Sequence, residues 1–237
     1  MKFKDTSSWN EFDWEKELRK DDASLAAYIA ELPKYIDLPG EDSILLKTIK
    51  RRLGTDRDEE DWAPVPYEDS EQSGEYPFPA NTRWKETPGG AVFHNSSVLA
   101  RDLLMGAASA NKEENRLRIM RILTLYGQLM ARSADLIDMS LEVERAVAAH
   151  EPCDVPDQLR LAIIKRLLSY QNKVTAELQL LREESSSLKN HAEAHLDAVG
   201  MMHDHLVDLL NGMRESLKKG NDDDPFFDDD DDSIFPF

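Results

Sequence analysis
A seven-residue apolar repeat between Ile164 and Ser216 constrains this chain more than any other feature. One row reads Ile164, Gln171, Leu178, Ser185, Ala192, Val199, Leu206 and Met213. The second reads Leu167, Val174, Leu181, Leu188, His195, Met202, Leu209 and Ser216. The spacing holds without a phase shift, which is the a/d pattern of a coiled coil or a long bundle helix. Gln171, Ser185, Ala192 and His195 weaken the seam. A continuous helix over residues 156–219 would be about 90 Å long at ~1.5 Å per residue, more than a compact domain of this size buries. The helix must either project and pair with another chain, or break. Ser185-Ser186-Ser187 is the weakest point, because serine hydroxyls compete for backbone hydrogen bonds. The unbroken phase across the serines favours a continuous or gently bent helix.

Upstream, Glu151-Pro152-Cys153-Asp154-Val155-Pro156 reads as a turn, with Pro156 suited to a first helical turn. Before it, Asn115–His150 reads as another long helix with Ile119, Leu123, Tyr126, Met130, Ile137 and Leu141 on its broad face. Two long helices joined by a short loop pack antiparallel. The Asn115 helix should therefore cover the first half of the C-terminal helix. The half beyond Ser187 has no cover in cis, which predicts self-association or a fold-back. A further helix is expected from near Val92 to about Ala110, with Val98, Leu99, Leu103 and Leu104 as its stripe. The N-terminal segment, residues 1–54, should hold a helix from Trp14 to Leu32, stopped by Pro33, and a second from Glu41 to Gly54. Residues 1–12 read as loosely ordered, with Trp9 and Phe12 as docking anchors.

Residues 55–91 lose this pattern. They carry five prolines with Trp62, Tyr67, Tyr76, Phe78 and Trp84, and read as an irregular strap whose aromatics fasten onto the helical body. No run of β-strands is evident. The expected fold is all-α: an antiparallel helical bundle (92–219) with a long coiled-coil-like C-terminal helix, the strap, and a disordered acidic tail (220–237).

Charge narrows the function classes. The net charge is −18. Residues 221–237 hold eight aspartates and no basic residue, leaving −10 for the remainder. Direct nucleic-acid binding is not expected from so acidic a body. No apolar run is long enough for a membrane span, and residues 1–6 lack the apolar core of a secretory signal. Cys153 is the only cysteine, so a disulfide or cysteine-based zinc site within the chain is excluded, and a reducing, cytoplasmic location is expected.

Few residues suggest catalysis. His191 and His195 lie one helical turn apart, a spacing that chelates metals; they are the weak metal candidates, and His203 and His205 follow. Glu193 is not adjacent to either, so the zinc-protease arrangement does not apply, and no Glu-x-x-His pair marks a di-iron site. The acids Glu151 and Asp154 disfavour a thiolate at Cys153. No Walker loop, dinucleotide glycine motif or nucleophile elbow is present. Gly106 and Gly127, isolated within helices, are read as packing positions. Arg116, Arg118 and Arg121 crowd a helix start, where the dipole disfavours cations, and are expected to pair with acids. No catalytic residue and no cofactor is assigned.

The tail is the informative segment. Asn221-Asp222-Asp223-Asp224-Pro225-Phe226-Phe227 leads into Asp228–Asp232 and then Ser233-Ile234-Phe235-Pro236-Phe237. Like charges and scarce apolar surface prevent it from folding alone, yet a plain solubility tail has no use for five large apolar residues. Its last ten or so residues resemble the acidic C-terminal tip of bacterial single-stranded-DNA-binding proteins. The resemblance implies a docking peptide for replication and repair proteins. Phe237 would enter an apolar pocket with its carboxylate on a basic residue, Pro236 would support it, and Asp230, Asp231 and Asp232 would steer it onto a basic rim. Phe235, between Ile234 and Pro236, and Ser233 after the acids depart from that pattern, and the rest of the chain lacks the family's OB-fold strands. The expectation is a non-enzymatic scaffold, self-associating through its heptad helix, that presents Ile234–Phe237 to a protein with a basic-apolar pocket. Alternatives are a metal-binding protein or enzyme using His191–His205, and an acidic mimic of nucleic acid.

Overall fold
The computed structural model describes residues 9–35, 41–53, 82–107 and 113–222. Among them every regular element is helical. The chain divides into two compact units, Met1–Arg83 and Trp84–Phe237.

The first unit holds α1 (Glu11–Tyr35) and α2 (Glu41–Leu53), which pack on each other. The start of α1 lies three residues before the expected Trp14, because Asn10 and Asp13 form a reciprocal cap. The Asn10 side-chain oxygen accepts from the Phe12 and Asp13 amides at 2.8 and 3.2 Å, and Asp13 accepts from the Asn10 amide at 3.2 Å. Trp9 packs edge-on against Trp14 at 4.7 Å, whereas Phe12 is exposed within the first turn. Position 33 does not stop α1, which runs to Tyr35; a proline there removes one amide from the last turn only. Buried Glu31 ties the two helices, accepting from Lys34 at 2.9 Å and from Arg52 of α2 at 3.1 Å. The Lys34 hydrogen bond, aided by Arg52, holds the Glu31 carboxyl below the usual carboxylate range despite its burial.

The second unit is an up-down-up-down four-helix bundle: α3 (Pro88–Ala107), α4 (Glu113–Ala149), α5 (Asp157–Glu184) and α6 (Lys189–Asp222). A short 3-10 segment, Thr82–Glu86, precedes α3. Helix α3 begins at Pro88 and not near Val92. Thr87 caps it, its hydroxyl accepting from the Gly90 amide at 3.1 Å, with Pro88 at the first helical position. Trp84 packs edge-on against Phe93 at 5.7 Å, as expected of a strap aromatic; the strap's other aromatics lie outside the described residues. Close approach explains the glycines here. A Cβ at Gly89 would lie 2.6 Å from the Ser133 carbonyl oxygen of α4. Gly127 is different: no atom lies within 4 Å of the added Cβ, so it serves no packing purpose.

Helix α4 ends in a Schellman motif. Glu151 N–H reaches the Ala146 carbonyl at 2.9 Å, His150 N–H reaches Val147 at 3.2 Å, and His150 takes φ 55°. The expected antiparallel α4–α5 pair forms. Asn115 donates to the Ser185 hydroxyl at 3.0 Å, both side chains being buried, and Arg118 bridges Glu177 and Glu184 at 2.8 Å each. Arg118 thus finds the acidic partners expected of it.

The continuous C-terminal helix does not form. Helix α5 stops at Glu184, Ser185 takes an extended conformation, and α6 starts at Lys189 running back along α5. Asp157 and Arg160 of α5 consequently share a depression with Asp208, Leu209 and Gly212 of α6. The fold-back leaves the heptad register intact: Ile164, Leu167, Gln171, Val174, Leu178, Leu181, Ser185, Leu188, Ala192, His195, Val199, Met202 and Leu206 are all buried. The distal half is covered in cis by α5 and α3, so the uncovered seam that motivated self-association is absent. Leu209 and Met213 are half-buried, with Leu210 buried beside them, and Ser216 is exposed beyond the end of the core.

Candidate functional site
The two histidines singled out from sequence do converge, and on partners that sequence did not indicate. The four-residue spacing of His191 and His195 puts both rings on the α3 side of α6. Asp102 of α3 meets them with one oxygen: Oδ2 lies 3.0 Å from His195 Nε2 and 3.2 Å from His191 Nδ1. The other ring nitrogen of His195 lies 3.0 Å from the hydroxyl of Tyr126 on α4. Tyr126 and His195 are buried, whereas Asp102 and His191 keep access to solvent.

These contacts constrain the proton positions. The hydrogen bonds from His195 and then His191 hold the Asp102 carboxyl below its usual range, so it is ionised and accepts only. Burial, together with the Asp102 charge, pushes the Tyr126 phenol well above its usual range, so it stays protonated. With Asp102 able only to accept, His195 donates to it from Nε2, and the tautomer with a bare Nδ1 accepts there from the Tyr126 hydroxyl. The chain Tyr126–His195–Asp102 satisfies a buried imidazole completely and ties three helices together. Its layout resembles a nucleophilic triad, but its hydroxyl end is sealed in the core. Tyr126 cannot meet a substrate there, and the relay's open end is a carboxylate and an imidazole.

Gly106 belongs to the same contact. A Cβ there would sit 3.4 Å from the His191 ring, an ordinary van der Waals contact, so the ring lies against α3 at this point without requiring glycine. The remaining histidines scatter. His203 Nδ1 lies 3.7 Å from its neighbour Asp204, and His205 lines an apolar groove of about 300 Å³ with Val98, Leu99, Met201 and Met202. Among the described residues no group of three or more His, Cys, Asp or Glu side chains is arranged to hold a metal ion. Cys153 is exposed in the α4–α5 turn. The Gln171 amide is fully buried on α5 with no partner among the described residues.

Sequence places Tyr126 on the broad apolar face of its helix and gives no reason to single out Asp102. The available signal was His195 itself: a histidine at a seam position requires hydrogen-bonding partners from neighbouring helices. The candidate docking residues Asp230, Asp231, Asp232, Ile234, Phe235, Pro236 and Phe237 lie outside the described residues, as does the acidic tail from residue 223 onward. No helix among the described residues is long and apolar enough to cross a membrane.

Comparison with protein-family models, curated proteins and solved structures finds no match to this chain.

Proposed function
We propose that this chain is a non-enzymatic interaction protein, a helical scaffold of the reducing cytoplasm whose working part is the peptide Asp228–Phe237. The observation that carries the reading is the composition of that peptide: an unbroken aspartate run followed by Ser233-Ile234-Phe235-Pro236-Phe237. Acids steer an encounter with a basic surface, and a proline-stiffened aromatic end supplies a compact anchor at low entropic cost. The partner is a protein with a basic rim around an apolar pocket. The resemblance to the single-stranded-DNA-binding tip points to replication and repair proteins as the class to examine first.

The bundle suits a supporting role. Its heptad seam is buried within the chain, and its histidine cluster is spent on joining helices. Self-association through the heptad helix is not part of this reading, because α5 and α3 already cover that surface.

Affinity capture with the intact protein and with a variant lacking Phe237 tests the proposal. Partners that depend on the tip should be retained by the first and lost by the second. Identical partner sets would remove the tail from the account.

A further inference from the structure
Helix α4 carries a second seam on the side away from the core. Leu117, Met120, Thr124, Gly127, Ala131 and Ala134 recur at alternating spacings of three and four, the a/d period of helix pairing. On a helix these positions fall opposite Ile119, Ile122, Tyr126 and Leu129, which are buried in the bundle. Leu117 is 64% exposed and Met120 56%. Thr124 is exposed as well, and its hydroxyl bonds back to the Met120 carbonyl at 2.8 Å, so its polar group is engaged by its own helix. A Cβ at Gly127 would meet no atom within 4 Å. The seam holds no charge, in a chain of which 32% of residues are charged. The outer face of a bundle helix is ordinarily polar, and a helix with apolar stripes on two opposed faces is one packed on both sides.

We infer that α4 pairs antiparallel, across this seam, with α4 of a second copy of this chain. The heptad period specifies a helix as the occupant, and the side-chain sizes specify its direction. Bulk lies at one end, in Leu117 and Met120, and small residues at the other, in Gly127, Ala131 and Ala134. A parallel pair would set bulk on bulk at one end and leave a gap at the other. About a two-fold axis between Leu125 and Tyr126 the seam is self-complementary. Leu117 meets the partner's Ala134, Met120 meets the partner's Ala131, and Thr124 meets the partner's Gly127. One close helix spacing then serves the whole length. Charge permits the pairing. No acid lies between Asn115 and Ala134, so the chain's net charge of −18 is kept off this strip. Exposed Arg121 comes alongside the stretch that ends at the partner's Asp135; Asp135 also holds Arg132 of its own helix, at 2.9 Å. The seam from Leu117 to Ala134 is about 25 Å of helix. A contact of that length lies at the low end of specific interfaces, at or below ~1,200 Å² in total, so the pair is reversible, with a Kd of roughly 10–100 µM. Paired chains present two tips, which raises avidity for a multivalent partner; that consequence rests on the proposed docking role, whereas the pairing does not.

Sedimentation equilibrium of the full chain, from about 1 µM to about 1 mM, brackets that affinity and tests the pairing. The mass should rise from 27.0 kDa towards twice that value. Gly127→Glu should stay at 27.0 kDa throughout. Glutamate suits an exposed helix position better than glycine, so the thermal midpoint of this variant should not fall, and its loss of pairing is then not a loss of fold. Val147→Glu, on α4 but off the seam and 67% exposed, should associate as the parent does. Direction is read by disulfide trapping in a Cys153→Ser background, with chains carrying Leu117→Cys mixed with chains carrying Ala134→Cys. Position 117 should join position 134 and not its own counterpart, because like positions lie about 25 Å apart in the antiparallel pair, beyond the ~7 Å that a disulfide spans between Cα atoms. A monomer at every concentration, association that survives Gly127→Glu, or joining of 117 to 117 would each overturn the inference. Capture of partners by the tip is read separately, through Phe237, so failure of the docking role leaves these results standing and failure here leaves the docking role standing.

Discussion
His195 Nε2 lies 3.0 Å from Asp102 Oδ2 although 93 positions separate the two residues in sequence. The contact exists only because α6 folds back and meets α3 across the bundle. Behind it, the Tyr126 hydroxyl occupies the other ring nitrogen. Tyr126→Phe would keep the ring packing and leave His195 Nδ1 buried without a donor. The expected cost is about 1–3 kcal/mol of stability, read by urea unfolding. An unchanged midpoint would mean that water already satisfies that nitrogen.

Acid stability should depend on Asp102. Its carboxyl is held below the usual range by His195 and His191, so the folded state releases that proton more readily than the unfolded chain does. The stabilisation is fully present above the ordinary aspartate value of about 3.9 and is lost as pH falls through the lower folded value. Glu31 and Glu142, also held low by basic neighbours, act in the same direction. Asp102→Asn should therefore flatten, without abolishing, the fall in stability below about pH 4. A slope identical to the parent's would show that the cluster adds nothing in acid.

Two glycines should respond oppositely to alanine. At Gly89 the new methyl meets the α4 backbone, 2.6 Å from the Ser133 oxygen and 2.9 Å from the Ile137 nitrogen. Gly89→Ala should lower stability by roughly 1–3 kcal/mol through overpacking. At Gly127 the methyl meets nothing within 4 Å, so Gly127→Ala should raise stability by about 0.5–1 kcal/mol through the unfolded chain's lost freedom. Thermal unfolding of the pair decides this, and shifts of the same sign would contradict the α3–α4 packing.

The fold-back between α5 and α6 rests on few groups. Buried Ser185 leaves the helix, its hydroxyl accepting from Asn115 and meeting Ser187 at 3.2 Å. Replacing Ser185, Ser186 and Ser187 by alanine removes these bonds and raises helix propensity. Because the heptads stay in phase, α5 and α6 could then join as one rod, with the α6 of each chain completing the other's bundle. Light scattering should detect a dimer of the 27.0 kDa chain at a higher fraction than in the parent. A variant with the parent's mass at every concentration would show that Asn115 and the core hold the hairpin without the serines.

That near-degeneracy explains what was legible beforehand. The seam positions were readable, since period and apolarity alone place Ile164 through Leu206 inside. The direction of the chain after Glu184 was not: a heptad row buries the same residues in a straight rod and in a hairpin. The decisive contact, Asn115 with Ser185, spans 70 positions and leaves no local trace. Helix starts at Asn10 and Thr87 did leave one, in Asn10-x-x-Asp13 and Thr87-Pro88. The His195 cluster was half legible, because the imidazole pair shows its spacing while Asp102 and Tyr126 reach it through tertiary packing alone.

The proposed docking role makes the tail's aromatic end the part this protein offers to others. Incorporating a photo-crosslinking phenylalanine at position 235 of the full chain, irradiating in native extract and mapping the adducts by mass spectrometry tests it most directly. The expected result is an intermolecular adduct to a lysine- or arginine-rimmed apolar pocket, abolished when Phe237 is removed. An intermolecular adduct indifferent to Phe237, or none at all, would contradict it.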